Sequence, residues 1–275
     1  MNSSLIFSIV TFVYGFSVIF YVSAWVFKKK LPARLATILL IAAATGNATA
    51  ILLRWYESYQ LGYGHAPLSN LYESLVFFSF VFSAIYLFIE FRYKVHTMGV
   101  IASPIPFLAM AYASLQADSQ IEPLIPALQS NWLIAHVLTC FLGYAAFAVA
   151  FGISLLYFFK ASNNDKDSGL RRLVPDTEVL DDLTHRMVTF GFLFLSVGIF
   201  TGSIWANQAW GNYWSWDPKE TWSLITWLIY AAILHARFMR GWGGKRIAVL
   251  SVIGFMAVLF TYFGVNLLPG LHSYQ

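Results

Sequence analysis

The sequence predicts an all-α integral membrane protein of about eight transmembrane helices, and three observations predict it. The 275 residues are 59% hydrophobic and only 11% charged, less than half the charge content of a soluble domain. Eight apolar runs recur along the chain, each long enough to cross a hydrocarbon core about 30 Å thick. The positive charges alternate between loops. With the N-terminus placed outside, 15 of the 17 Lys and Arg fall on the inner side, the bias that orients membrane proteins. Both termini are then expected outside.

The elements follow in order. The first run, Leu5–Phe27, is too long for the core of a signal peptide, lacks a preceding charge and is followed by "KKK"; it reads as a retained span. The inner loop after it holds Lys28, Lys29, Lys30 and Arg34. The second run is Leu35–Leu53, with Arg54 at its outer end. The third, Leu71–Ile89, opens on Asn70 with Glu73 three residues later, the pattern of a capping box, and ends at the inner Arg92 and Lys94. The fourth is Met98–Leu115. The outer segment "QADSQIEPLIPALQSNW" after it has two prolines and is expected along the membrane surface.

The fifth run, Trp132–Phe159, reaches an inner loop with Lys160, Lys166, Arg171, Arg172 and Arg186, in which a short surface helix is expected around Asp176–His185. The sixth run is Met187–Trp205. The seventh, Pro218–Phe238, has a legible start: Asp217 as N-cap, Pro218 as first helical residue, Glu220 as third, with both acids favourable at the positive helix end. Lys219 is the second basic residue left outside. Arg237, Arg240, Lys245 and Arg246 form the last inner loop before the eighth run, Ile247–Leu268. No polar segment is long enough to bury a core of its own, so residues 1–275 read as a single polytopic membrane domain. A pI near 9.1 then reports topology and contact with anionic membrane lipid rather than nucleic-acid binding. One cysteine, Cys140, excludes an internal disulfide framework or zinc site, and no C-x-x-C-H is present.

Between the sixth and seventh spans lies "WANQAWGNYWSWDPKETW", Trp205 to Trp222, with five of the ten tryptophans of the chain. Indoles anchor membrane proteins at interfaces, but an anchoring belt spreads over all helix ends and this cluster occupies one segment. Gly211 and Asn212 suggest a turn, so the segment is expected to fold back as an external aromatic slab, suited to a large flat apolar ligand with polar edges. Ionisable residues near spans are costly and mark function by default. His136 stands 24 residues before the inner Lys160, and His272 stands 26 after the inner Arg246. At 1.5 Å per residue these are about 36 and 39 Å of helix, so both arrive at the outer boundary, at the height of the Trp cluster. They suit an iron at the centre of a flat ligand, with haem as the obvious candidate. His235, five residues before Arg240, is roughly 25 Å lower and cannot share that ligand; its helix face with Thr221, Leu224, Leu228 and Ala231 also reads as a packing face. His65, His96 and His185 read as interfacial residues with water partners. "GIFTG" puts Gly198 and Gly202 at the spacing of a helix-packing motif. Thr139, Cys140 and Gly143 share a side with His136, either as ordinary packing residues or as room for a ring.

These residues carry a family resemblance. "WGNYWSWDPKETW" resembles the tryptophan-rich "WWD" motif of the haem-handling membrane proteins of cytochrome c maturation. "DPKETWSLITWLIYAAILHAR", "LTHRMVTFGF" and the terminal histidine resemble the CcsA (ResC) family, the membrane subunit of the System II cytochrome c synthase, with "NLYES" as minor support. The similarity covers about residues 65–275. It implies that His136 and His272 are axial ligands to haem b and act in catalysis. It implies that Trp205, Trp210, Trp214, Trp216 and Asp217, within residues 205–222, hold that haem at the outer face. It implies that His235 works with a membrane histidine of a partner subunit, CcsB (ResB), at an inner haem site. The activity implied is that of a holocytochrome c synthase, or haem lyase, subunit needing that partner. On that resemblance haem is expected to be conveyed to the outer face and its vinyl groups joined to the C-x-x-C-H thiols of apocytochrome c, kept reduced by a thioredoxin-like protein. The location implied is the bacterial inner membrane with the site on the periplasmic side, or a thylakoid. Asp217 also reads simply as a helix cap. Competing expectations are a CcmC-like haem chaperone or exporter without ligase activity, and a b-type electron-transfer subunit. A solute transporter ranks below these, on the expectation that no span carries a buried carboxylate or a break midway.

Overall fold

The computed structural model describes residues 2–116, 119–162 and 171–268, and within them the chain is all helical. The helices are α1 (Ser3–Phe27), α2 (Lys30–Gln60), α3 (Leu71–Tyr93), α4 (Gly99–Ala102), α5 (Pro104–Gln116), α6 (Asn131–Ala161), α7 (Thr177–Trp210), α8 (Pro218–Arg240) and α9 (Lys245–Tyr262), with short 3-10 turns between some of them. Eight segments are long and apolar enough to cross a membrane, and each overlaps one of the eight runs. The molecule is a multi-pass membrane protein. Lipid offers no hydrogen bonds to backbone, so each crossing must satisfy its own, which helices do.

Three boundaries differ from expectation, each for a local reason. The expected surface helix near Asp176–His185 is the first part of α7, which begins at Thr177 and runs 34 residues. The fourth span is not one helix. A 3-10 turn at His96–Met98 leads into α4, and α5 restarts at Pro104, because proline has no N–H to continue the ladder. The eighth span ends as α-helix at Tyr262 and continues as a 3-10 turn, Gly264–Leu267. It stops where the weak helix formers Gly264 and Asn266 enter, before Pro269 and Gly270, which lie outside the described residues together with His272.

The helices pack as two compact units. One contains α1–α5. Its interior carries Phe7, Tyr14 and Tyr21 of α1, Leu40 of α2, Phe82 and Tyr86 of α3 and Met110 of α5. It also buries charge. Arg54 is 2% exposed and donates to Glu73 at 2.7 Å and to the carbonyls of Ser119 and Gln120. Asn70 caps α3 as expected, accepting from Glu73 N–H at 2.9 Å, but the Glu73 carboxylate reaches back to Ser69, N–H and hydroxyl both. Near the other end of α3, buried Glu90 accepts from Tyr21 and Tyr86 at 2.6 and 2.5 Å and from Thr37, with His96 Nδ1 at 2.9 Å. The expectation of no buried carboxylate and no interrupted span therefore fails.

The second unit contains α6–α9. Here α6 and α7 run antiparallel at close range, because small residues face each other: Gly143 lies against the Gly191 carbonyl and Leu195 backbone, and Gly198 against Cys140. Close backbone approach replaces the hydrophobic effect as the source of packing energy between helices in lipid. Phe147 of α6 stacks on Tyr230 of α8 at 3.5 Å and 7°. Thr226 of α8 and Thr261 of α9 share a buried hydrogen bond at 2.9 Å.

Candidate functional site

The site is built where the start of α6, the end of α7 and the start of α8 are held in the second unit. Ser130 caps α6 by accepting from Trp132 N–H, and its hydroxyl donates to Gln208 Oε1 of α7 at 2.7 Å. His136 follows in the second turn of α6 and is half-buried. Its Nδ1 lies 2.7 Å from the carbonyl oxygen of Gly198. A carbonyl only accepts, so Nδ1 carries the proton and the ring's lone pair is on Nε2, the nitrogen that would serve as a metal ligand in this tautomer.

Trp205 is 4% exposed and lies near-parallel to the His136 ring, 5.9 Å away at 24°. Its indole N–H donates to the Ala127 carbonyl at 2.8 Å. Trp210, the last residue of α7, tilts against Trp205 at 5.0 Å and 59°. The structure thus joins His136, Trp205 and Trp210 into one contiguous aromatic group. Gly198 and Gly202 make this possible: a Cβ on Gly202 would sit 2.5 Å from His136 Nδ1. Gly143 and Cys140 face α7 directly, so the small-residue side of α6 seats a helix and leaves no room for a ring.

Gly211 closes α7 in the left-handed region at φ 81°, and the loop then carries Trp214 and Trp216. These two meet edge to face, 5.7 Å apart at 86°. The indoles therefore form two tilted pairs rather than a flat slab. The buried Nε1 of Trp214 has no acceptor among the described residues. Trp216 is 68% exposed and has φ 59°, a strained conformation for a bulky residue.

Asp217 caps α8. Its carboxylate accepts from Lys219 N–H at 2.9 Å, and Glu220 completes a reciprocal capping box. The Glu220 carboxylate also accepts from Ser215 N–H at 2.7 Å and from the Ser215 hydroxyl. Glu220 thus clamps the loop from Ser215 to Asp217, a role the sequence reading did not give it. The signal was present as D-x-x-E, the reciprocal spacing of a capping box.

His235 is not brought to this group. It lies 17 residues into α8, about 26 Å along the helix. It is exposed, as is Leu228 on the same face, while Thr226, Tyr230 and Ile233 form the buried face. Of the residues on the His235 face, Thr221, Leu224 and Ala231 are half-buried and Leu228 is exposed. Of the remaining histidines, His65 sits between the carbonyls of Ala66 and Glu122, His96 meets Glu90, and His185 lies edge-on to Phe238 at 5.2 Å. Among the described residues no three His, Cys, Asp or Glu side chains converge on a metal position.

Comparison with known proteins adds the following. The family model described as cytochrome C assembly protein matches residues 68–272. A cytochrome c biogenesis protein CcsA of Synechococcus sp. (strain CC9902) is 41% identical over 264 residues, covering 86% of this chain and 85% of the relative. The CcsA of Guillardia theta is 42% identical over 244 residues, covering 80% and 79%. Among solved structures, the cytochrome c heme lyase CcmF superposes with a TM-score of 0.71 at 16% identity. That match covers 97% of this chain and 50% of the other, and at this identity it speaks to the fold alone.

Proposed function

The chain belongs to the cytochrome c assembly protein family, alongside the CcsA proteins of cytochrome c biogenesis, and on that premise we propose that it binds haem beside His136 and presents it for covalent attachment to apocytochrome c. The single observation that carries the site is the His136–Gly198 hydrogen bond beside Trp205. It fixes the tautomer that an iron ligand needs, next to an indole that covers a flat apolar ring. The Trp214 N–H, buried without an acceptor among the described residues, is a donor suited to a polar edge of the same ligand. The residues present fit haem on these grounds: His136 ligates, Trp205 and Trp210 flank, and Trp214 and Trp216 close the loop side, held in place by Asp217 and Glu220. His272 is the proposed second axial ligand.

When bound, haem supplies the two vinyl groups that become thioethers with the C-x-x-C-H thiols. The chain's own residues orient and ligate. His136 and Trp205 hold the plane of the ring, and holding vinyl carbons beside thiols is a proximity effect. His235, exposed at the far end of α8, is proposed to meet a histidine of a CcsB-type subunit, which would cover an imidazole otherwise left facing lipid. The proposal extends to haem-lyase activity in that complex, a thioredoxin-like reductant for the thiols, and a bacterial inner or thylakoid membrane, the site facing outward.

The test is the complex with its CcsB-type partner, carrying His136→Gly or His272→Gly. Each is expected to lose haem absorbance and cytochrome c assembly, and added imidazole should restore part of both. Full assembly with both histidines gone would remove the ligand assignment. Attachment of haem to a C-x-x-C-H peptide by the purified complex separates a synthase from a chaperone, which would need a dedicated carrier protein.

A further inference from the structure

We propose that the Gly198 carbonyl of α7 is the positioning group for His136, and that the stripe Gly198, Gly202, Trp205 sets how firmly that imidazole is held. The inference rests on His136 being an iron ligand, and it names the group that governs the ligand's strength and angle.

The three residues recur at four and three positions along α7, so they share one face. Each touches the same ring or its neighbour. Gly198 offers its carbonyl to Nδ1 at 2.7 Å. Gly202 has no room for a Cβ, which would fall 2.5 Å from Nδ1 and 2.8 Å from Cε1. Trp205 covers the ring at 24° and is itself fixed by its bond to Ala127. A Cβ on Gly198 would meet Cys140 Sγ at 2.6 Å, so the carbonyl can approach only because position 198 is glycine. Cys140 Sγ lies 3.6 Å from the same nitrogen, longer and weaker than the carbonyl bond. Donating Nδ1–H to a carbonyl fixes the ring plane and makes Nε2 a better electron donor, which is how outer partners tune histidine ligands elsewhere.

A backbone carbonyl cannot be deleted, but its demand for an N–H can be tested chemically. In the His136→Gly complex, imidazole and 1-methylimidazole both offer a ligating nitrogen, and only imidazole keeps a proton for Gly198. After correction for their affinities for haem in detergent, 1-methylimidazole should need about tenfold more to restore the six-coordinate absorption spectrum, as expected for loss of one hydrogen bond. Equal potency of the two ligands would overturn the proposal while leaving His136 a ligand. An unchanged spectrum in His136→Gly without added ligand would overturn the ligand assignment and the proposal with it. Gly202→Ala gives an independent reading. It should speed displacement of His136 by added imidazole about tenfold, whereas Phe200→Ala, on the exposed side of the same helix, should leave that rate at the wild-type value. Identical rates in all three proteins would also overturn it.

Discussion

Two residues of the Trp loop show how strain and clamping are divided. Trp216 holds φ 59°, which costs an L-residue with a side chain of order 1–2 kcal/mol. Glu220 offsets this by tying Ser215 and Asp217 to the first turn of α8. An indole kept in a strained conformation and 68% exposed contributes little to folding, which points to a ligand as its reason. Trp216→Gly should therefore raise stability by up to about 1 kcal/mol while lowering the haem retained on purification. Thermal unfolding and absorption of one preparation measure both. A destabilised variant with normal haem content would identify the indole as a structural plug instead.

At the scale of elements, the α6–α7 pair decides where His136 goes. Its contacts descend one helix as they ascend the other: Phe147 with Gly191, Cys140 with Gly198, His136 with Gly202. Each is a place where a methyl group is felt. Gly198→Ala should cost about 1–3 kcal/mol by overpacking against Cys140 Sγ. Adding Cys140→Ala removes the clashing sulfur and should recover most of that loss, giving a coupling well outside additivity. Unfolding midpoints of the two single variants and the double variant test it, and strictly additive losses would count against the close approach. The start of α8 is the other deciding element. Its capping box was readable in "WDPKETW", because the box needs only residues within one turn.

For the whole molecule the governing quantity is charge asymmetry. The connections after α1, α3, α6 and α8, together with the helix ends beside them, hold 15 of the 17 lysines and arginines, and this bias sets orientation across a membrane. Tyr213 in the Trp loop and Arg240 at the far end of α8 are both exposed. In a Cys140→Ser background, Tyr213→Cys should react with an impermeant maleimide in right-side-out vesicles and Arg240→Cys should not. The reverse pattern would place the Trp loop on the inner face and end the delivery of haem outward. The buried Arg54–Glu73 and Glu90 clusters show that charge is also spent inside the first unit, where paired donors offset the cost of burial.

The sequence by itself determined the eight apolar segments, the alternation of positive loops, the cap at Asp217 and the packing role of Gly198 and Gly202. These follow from composition, local spacing and the cost of exposing polar groups to lipid, all of which act over a few residues or one helix. Glu90 was within reach too, as the acid that directly follows the third apolar run. Only the tertiary structure decided that α6 and α7 meet in the register that sets His136 on the Gly198 carbonyl beneath Trp205, that His235 faces outward, and that the indoles pair rather than form a slab. Those outcomes depend on which turn of one helix faces which turn of another, and in the α6–α7 pair that register is fixed by contacts between residues far apart in the chain, from Phe147 with Gly191 to His136 with Gly202, that no local pattern records.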